Sequence, residues 1–179
     1  MPRYAAFLRA INIGGRRVKG AELCAPFEEL GHTEVVSFRA SGNVIFDAEE
    51  RSVAGLTKKI ESQLERSLGY EVAAMLRTRS QVRAIAAKEP FDPGLVEASD
   101  GKLQINLLAR KPTAATQKKV LAMATEQDRL AIAGTELYWL PSGGLMDSEL
   151  DQKALDALIG VSTRRTMGTI QQIGAKYFS

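Results

Sequence analysis

The chain has 179 residues, of which 45% are apolar, 25% charged and 6% aromatic. Those fractions are near the average of globular proteins and exclude a disordered, collagenous or disulfide-stapled chain. The formal charge is +3, from 24 Lys and Arg against 21 Asp and Glu. A total that small does not mark a nucleic-acid binder, because phosphate affinity depends on how cations cluster.

Residues 4–13 form an apolar run closed by Gly14 and Gly15, which reads as a buried strand. Leu23, Phe27 and Leu30 recur at i, i+4 and i+7 ahead of Gly31, which predicts an amphipathic helix over 20–30. Residues 35–38 and 43–46 are short β-rich runs separated by Arg39-Ala40-Ser41-Gly42, a hairpin loop. Leu56, Ile60, Leu64 and Leu68 stand four apart and predict a helix over 52–68, stopped by Gly69. A strand over 70–76 completes the order βαββαβ, the split-βαβ or ferredoxin-like unit.

A linking helix follows, capped by Thr78 or Ser80 and ended by the two-proline stretch 89–94. The order then restarts, with a strand over 103–109 and a helix over 112–125. Strands over 128–133 and 136–140 pair across Gly134-Thr135. A helix begins at Ser148, where Ser148 and Asp151 are spaced like a capping box, and ends at Gly160. A last helix starts near Thr166 and carries Met167, Ile170, Ile173 and Tyr177. The predicted fold is α+β: two ferredoxin-like subdomains, antiparallel sheets covered by helices, plus a C-terminal helix. Their expected extents are 1–78 and 101–179, with 79–100 as linking helix and proline-rich loop.

Cys24 is the only cysteine, so no intramolecular disulfide forms, and a lone thiol suits a reducing compartment. Arg9 breaks the N-terminal apolar run, and no run approaches the roughly 18 residues that span a bilayer. The expectation is a cytoplasmic chain with no membrane partner.

Cations gather at the two ends of the sequence: Arg3, Arg9, Arg16, Arg17 and Lys19 before any acid, then Arg164, Arg165 and Lys176 after the last one. Between strand and helix, Asn12, Gly14 and Gly15 offer a neutral donor and freed backbone N–H groups beside a positive helix end. The spacing is neither a Walker A loop, since Ala21 stands where Lys is required, nor a G-x-G-x-x-G fingerprint. A tight turn alone also explains the glycines. A second candidate, Arg39, Ser41 and Asn43, belongs to a segment expected to approach the exit of the first strand. Its simpler explanation is hairpin chemistry.

Cys24 and His32 suggest a nucleophile and base, but Cys24 reads as packing and His32 as a surface residue. Asp147, Glu149 and Asp151 sit where a helix begins and complement its dipole, with a divalent-cation site the weaker alternative. Of the adjoining Tyr138 and Trp139, one faces the helices, and burial is expected for Trp139.

The strings LRAINIGG, EELG and SGNVIF together resemble domain-of-unknown-function family 1697, bacterial proteins that open with an LRGINVGG-like motif. The similarity runs the length of the chain and is most specific in its first third. The resemblance implies a cytoplasmic α+β protein with two ferredoxin-like halves and brings no established activity. Arg9, Asn12, Gly14, Gly15, Ser41, Gly42, Asn43 and Arg164 match the family pattern. Glu149 stands where members often carry Lys, and Met167 where they often carry Trp, so any site built on those two residues is altered here.

The leading reading is a binding module for an anionic ligand, a phosphate-bearing small molecule or nucleic acid. It would use Arg9, Asn12, Gly14, Gly15, Arg16, Arg17, Ser41 and Asn43, with Arg164 joining if the basic termini meet. No catalytic residue, cofactor or metal is assigned, and the reading leans away from an enzyme. The alternatives are an acyl-phosphate hydrolase using Arg16 or Arg17 with Asn43, by analogy with ferredoxin-like acylphosphatases, and an interaction module with no pocket.

Overall fold

The structure is a computed structural model that describes residues 1–9, 11, 17–99 and 103–179. The chain folds into a mixed α+β architecture with two four-stranded antiparallel sheets. It divides into two compact units, Met1–Ala84 with Ile173–Ser179, and Ile85–Gln172.

In the first unit, β1 (Arg3–Leu8), α1 (Gly20–Glu29), β2 (Thr33–Ser37), β3 (Asn43–Asp47), α2 (Val53–Leu68) and β4 (Ala74–Thr78) follow one another. The sheet order is β2-β3-β1-β4, which is compatible with the ferredoxin-like plan. Strand β1 is central, and Tyr4, Ala6 and Leu8 alternate toward a core shared with Leu23, Phe27, Phe46, Leu56, Ile60 and Leu64. Helix α2 is bounded as its sequence dictates. Ser52 Oγ accepts from the Gly55 N–H at 3.1 Å, and Gly69 takes the left-handed conformation at the other end.

Helix α1 ends in a Schellman motif. The His32 N–H donates to the Phe27 carbonyl at 3.2 Å and the Gly31 N–H to the Glu28 carbonyl at 2.9 Å, with Gly31 at φ +86°.

In the second unit, β5 (Gln104–Leu108), α5 (Ala114–Leu121), β6 (Asp128–Ala133), β7 (Glu136–Pro141), α6 (Gln152–Ile159) and β8 (Ser162–Thr166) repeat that connectivity, with sheet order β6-β7-β5-β8. Leu108, Leu130, Leu137 and Trp139 face Val120 of α5 and Leu155 and Ile159 of α6. Helices α3 (Arg79–Ala87) and α7 (Met167–Tyr177) each contribute to both units, since the division passes through them rather than through the loop 89–94. Helix α3 begins with a capping box. The Thr78 N–H donates to Gln81 Oε1 at 2.9 Å, and the Gln81 N–H returns to Thr78 Oγ1 at 3.3 Å.

The sequence reading differs from the structure at several boundaries. Strand β1 ends at Leu8, where the Arg9 N–H turns to the Ala73 carbonyl, so the apolar run to residue 13 is not all strand. The strand expected over 70–76 is the later β4. A short helix, α4 (Pro93–Ala98), forms within the stretch read as loop, capped by Asp92 and opened by proline at its first turn. Helix α6 starts at Gln152 and not at Ser148, because Asp151 is itself the cap, its Oδ1 accepting from the Ala154 N–H at 3.0 Å.

Strand β8 was not anticipated. Its sequence, Ser-Thr-Arg-Arg-Thr, lacks apolar alternation, yet it pairs along the full length of β5. Tyr138 and Trp139 point to opposite faces of β7 and both are buried.

Candidate functional site

Of the sequence-derived candidates, Arg9, Ser41 and Asn43 lie at the end of the first sheet where β1 exits. The Leu8 N–H donates to the Gly42 carbonyl at 2.8 Å, and Phe7 pairs with Asn43, so the start of β3 does meet the exit of β1. Gly42 has φ +80°, and a Cβ there would lie 3.2 Å from Leu8 Cβ and 3.3 Å from the Leu8 carbonyl oxygen. Only glycine allows this approach without a shift.

Asn43 is buried and closes the hairpin. Its Nδ2 donates to the Phe38 carbonyl at 2.8 Å and to Ser41 Oγ at 2.9 Å, while its own carbonyl accepts from the Phe38 N–H at 2.9 Å. Both amide hydrogens are thereby used within the loop. Arg39 sits at the loop tip at φ +61°, exposed, with its guanidinium 5.4 Å from the Phe38 ring centroid.

The segment leading into α1 comes to the same end. A Cβ on Gly20 would lie 2.6 Å from Ser37 Oγ, and Ser37 pairs with Val44 beside Asn43. Lys19 is the N-cap of α1, and its side chain makes no cap hydrogen bond, so the residue at that position leaves the first N–H groups of the helix to other acceptors. Arg9, Arg17, Lys19 and Arg39 are all exposed. Asn12, Gly14, Gly15 and Arg16 lie outside the described residues.

Cys24 and His32 form no dyad. Burial pushes the Cys24 thiol up, and its hydrogen bond is to Ser37. His32 is not a surface residue as expected. Its ring stacks on Phe46 with centroids 5.0 Å apart, and Nε2 is buried with no hydrogen-bond partner among the described residues. Burial, then the charge of Lys59, holds its pKa below the usual histidine value.

Arg164 belongs to the second unit and is engaged there. Its Nε donates to Asn106 Oδ1 at 3.1 Å, its Nη2 to Gln152 Oε1 at 2.7 Å, and its guanidinium lies 4.8 Å from the Trp139 ring centroid. Burial lowers its pKa, and Asp156 opposes the shift. Arg165, on the opposite face, is pushed down to about 10 by burial and donates to Thr163 Oγ1 at 2.8 Å. Arg164 thereby ties β8 to β5 and α6 of its own unit, while the Arg165 bond closes within β8.

A further group escaped the sequence reading. Trp139 Nε1 donates to Asp128 Oδ1 at 2.9 Å, and Ser148 Oγ donates to the same oxygen at 2.7 Å. The signal was available. The two-residue turn at Gly134-Thr135 pairs Leu130 with Trp139, which makes Asp128 the diagonal neighbour of the indole. Among the described residues, no three His, Cys, Asp or Glu side chains come together as a metal site. Nor is any described helix long and apolar enough to cross a membrane.

Against solved structures, the chain is similar to the conserved bacterial protein SP0830 from Streptococcus pneumoniae, with TM-score 0.73 and 21% identity over 98% of this chain and 97% of that one. At that identity the likeness is one of fold. No curated protein matches the chain. The model of the family described as "Protein of unknown function (DUF1697)" matches residues 1–138, which is most of both sheets, and the chain belongs to that family.

Proposed function

We propose that this chain is a cytoplasmic binding module for an anionic ligand, a phosphorylated small molecule or a nucleic-acid backbone, seated at the β1-exit end of the first sheet. One observation carries the reading. Arg9, Arg17, Lys19 and Arg39 reach that end exposed from three separate segments, beside a helix N-terminus that its own N-cap side chain, Lys19, does not cap. Guanidinium and ammonium groups supply formal charge there, and N–H groups at a helix N-terminus favour an oxyanion. The proposal keeps Asn12, Gly14, Gly15 and Arg16 as contributors from the connecting segment and Ser41 as a neutral neighbour. Asn43 and Arg164 serve as structural clasps. The hydrolase alternative gains no support, because Asn43 has no amide hydrogen left to orient a water. The shared connectivity of the two sheets supports an origin by internal duplication.

The test is a thermal-shift titration with inorganic phosphate, ATP and a short single-stranded RNA, on the wild type and on an Arg17→Ala/Arg39→Ala variant. A ligand at about one hundred times its Kd adds about 2.7 kcal/mol of stability. The expected result is a shift with at least one probe that is lost in the variant and weakens steeply with salt. A chain that responds to none of the three, or a shift indifferent to both arginines, refutes the reading.

A further inference from the structure

The edge of a sheet is a row of backbone N–H and C=O groups that another strand can complete, and folded chains cover it or break it up. The two sheets here end in β2, β4, β6 and β8, and all but β6 are treated in this way. Strand β2 carries a bulge between Thr33 and Val36, with Glu34 in the left-handed region at φ +51°. On β4, side chains take the outer groups. Glu61 Oε2 accepts from the Ala74 N–H at 3.0 Å, Gln81 Oε1 accepts from the Thr78 N–H at 2.9 Å, and Arg77 Nη1 donates to the Leu76 carbonyl at 2.9 Å. On β8, Arg165 Nη1 reaches the outer carbonyl of Arg164 at 2.8 Å in the same manner.

Strand β6 has none of these devices. It pairs with β7 from Asp128 opposite Pro141 to Ala133 opposite Glu136, with no shift of register. The two-residue turn at Gly134-Thr135 makes Ala133 and Glu136 a hydrogen-bonded pair. Arg129 and Ala131 therefore bond to β7, and the backbone groups of Leu130 and Ile132 point outward. No described residue bonds to them. Beside the strand lies an open groove of 570 Å³, whose walls include Phe91, Ala124, Leu130 and Ala131.

We propose that β6 is a dimerisation edge, pairing antiparallel with β6 of a second copy of this chain about a two-fold axis through Ala131. In that register Leu130 meets the second copy's Ile132 and Ile132 meets its Leu130, each pair exchanging both N–H···O bonds. Shape and charge choose a second copy over a foreign strand. Arg129, Ala131, Ala133 and Glu136 share one face of the sheet, and alanine is small enough to meet itself at the axis. Arg129 then stands beside the second copy's Ala133 and two strands, about 10 Å, from its Glu136. A guanidinium reaches a carboxylate across an alanine at that span, and the symmetry forms the ion pair twice. Thr135 Oγ1 donates to Glu136 Oε2 at 2.6 Å and holds that carboxylate at the hairpin end. An edge contact buries little area, so the dimer is weak, with a Kd on the order of tens of micromolar. The inference is independent of the anion site, which lies in the other unit.

The test is sedimentation equilibrium of the full chain from roughly 5 to 500 µM, with amide hydrogen exchange measured at both ends of that range. The expected result is a monomer–dimer equilibrium in which the Leu130 and Ile132 amides exchange more slowly in the dimer. The Ala131 amide, bonded within the hairpin, does not change. Ala131→Lys sets two ammonium groups against each other at the axis and weakens the dimer by about tenfold or more. Arg129→Glu and Glu136→Lys each weaken it alone, and their equimolar mixture restores it, because the mixed dimer regains both ion pairs. If circular dichroism shows Glu136→Lys unfolded, Ala131→Lys and the exchange pattern decide. A monomer at every concentration leaves this edge to a foreign strand and overturns the proposal. A dimer indifferent to Ala131→Lys, or one that leaves the Leu130 and Ile132 amides unprotected, overturns it as well.

Discussion

Gly42 is the point where the first sheet is tightest, and replacing it with alanine separates two costs that usually arrive together. The first is conformational. Gly42 sits at φ +80° and Gly31 at φ +86°, and an L-residue in that region loses about 1–2 kcal/mol. The second is crowding. An alanine Cβ at 42 would lie 3.2 Å from Leu8 Cβ, 3.2 Å from Ile11 Cγ1 and 3.3 Å from the Leu8 carbonyl oxygen, whereas at 31 nothing lies within 4 Å. Leu8 has little room to retreat, being bonded to Gly42 and paired with Ala74 on its other side.

Forcing a methyl into such packing costs about 1–3 kcal/mol. The gain from a stiffer unfolded chain, about 0.4–1 kcal/mol, applies to both positions and cancels in the comparison. Gly31→Ala should therefore destabilise by about 1 kcal/mol and Gly42→Ala by about 2–4 kcal/mol. Urea unfolding followed by far-ultraviolet circular dichroism measures both. Equal losses, within about 0.5 kcal/mol, would show that the β1–β3 approach confines nothing and would falsify the crowding argument.

His32 is the only histidine, so one ring resonance titrates without overlap. Its pKa is depressed in the fold, so the folded state holds fewer protons than the unfolded one, and stability from this residue is full above the ordinary value of about 6.5 and falls as pH drops through the depressed one. His32→Gln should flatten that part of the acid limb, and a midpoint at or above 6.5 for the wild-type ring contradicts the assignment. Arg164→Lys removes a fork that reaches Asn106 and Gln152 together and a plane that stacks on Trp139, and should cost about 1–3 kcal/mol in urea unfolding. A lysine variant as stable as the wild type would leave the fork with no structural role. Ser52→Ala, which removes the acceptor of the Gly55 N–H, should lower stability by about 1 kcal/mol, and no change means that water caps α2 equally well.

Where a single physical rule dominates, the sequence is legible. The four-residue spacing of Leu56, Ile60 and Leu64 predicts α2 because all three must face one core. Gly134-Thr135 predicts the β6–β7 register because a two-residue turn allows only one. The meeting of β1 and β3 at the candidate site was expected from strand order, and Gly42 makes it physically possible.

Elsewhere several rules compete. Strand β8 looks like a polar loop, since Arg164 is half-buried through an amide partner on β5, 58 residues away, and Arg165 is buried against a hydroxyl of its own strand. Ser148 looks like a helix cap, but its hydroxyl goes to Asp128, twenty residues back, and Asp151 takes over the cap. Asn43 looks like a ligand-binding amide until the hairpin geometry shows where both hydrogens go. In each case a polar group had more than one possible partner, and only tertiary structure decides among them.

The return of Ile173–Ser179 to the first unit has a consequence for how the molecule is made. This short tail is tied down, with the Tyr177 carbonyl accepting from Arg3 Nη1 at 3.3 Å and the Tyr177 ring meeting Phe38 edge-on at 6.1 Å. Residues 1–84 leave the ribosome first, yet they cannot acquire those contacts until the entire second unit has been synthesised, roughly 5–20 s later at ordinary elongation rates. The later-made unit, continuous in sequence, has all its parts before the earlier one does. The N-terminal unit is therefore begun first and closed last, and a ribosome stalled before residue 173 holds it without its final strap.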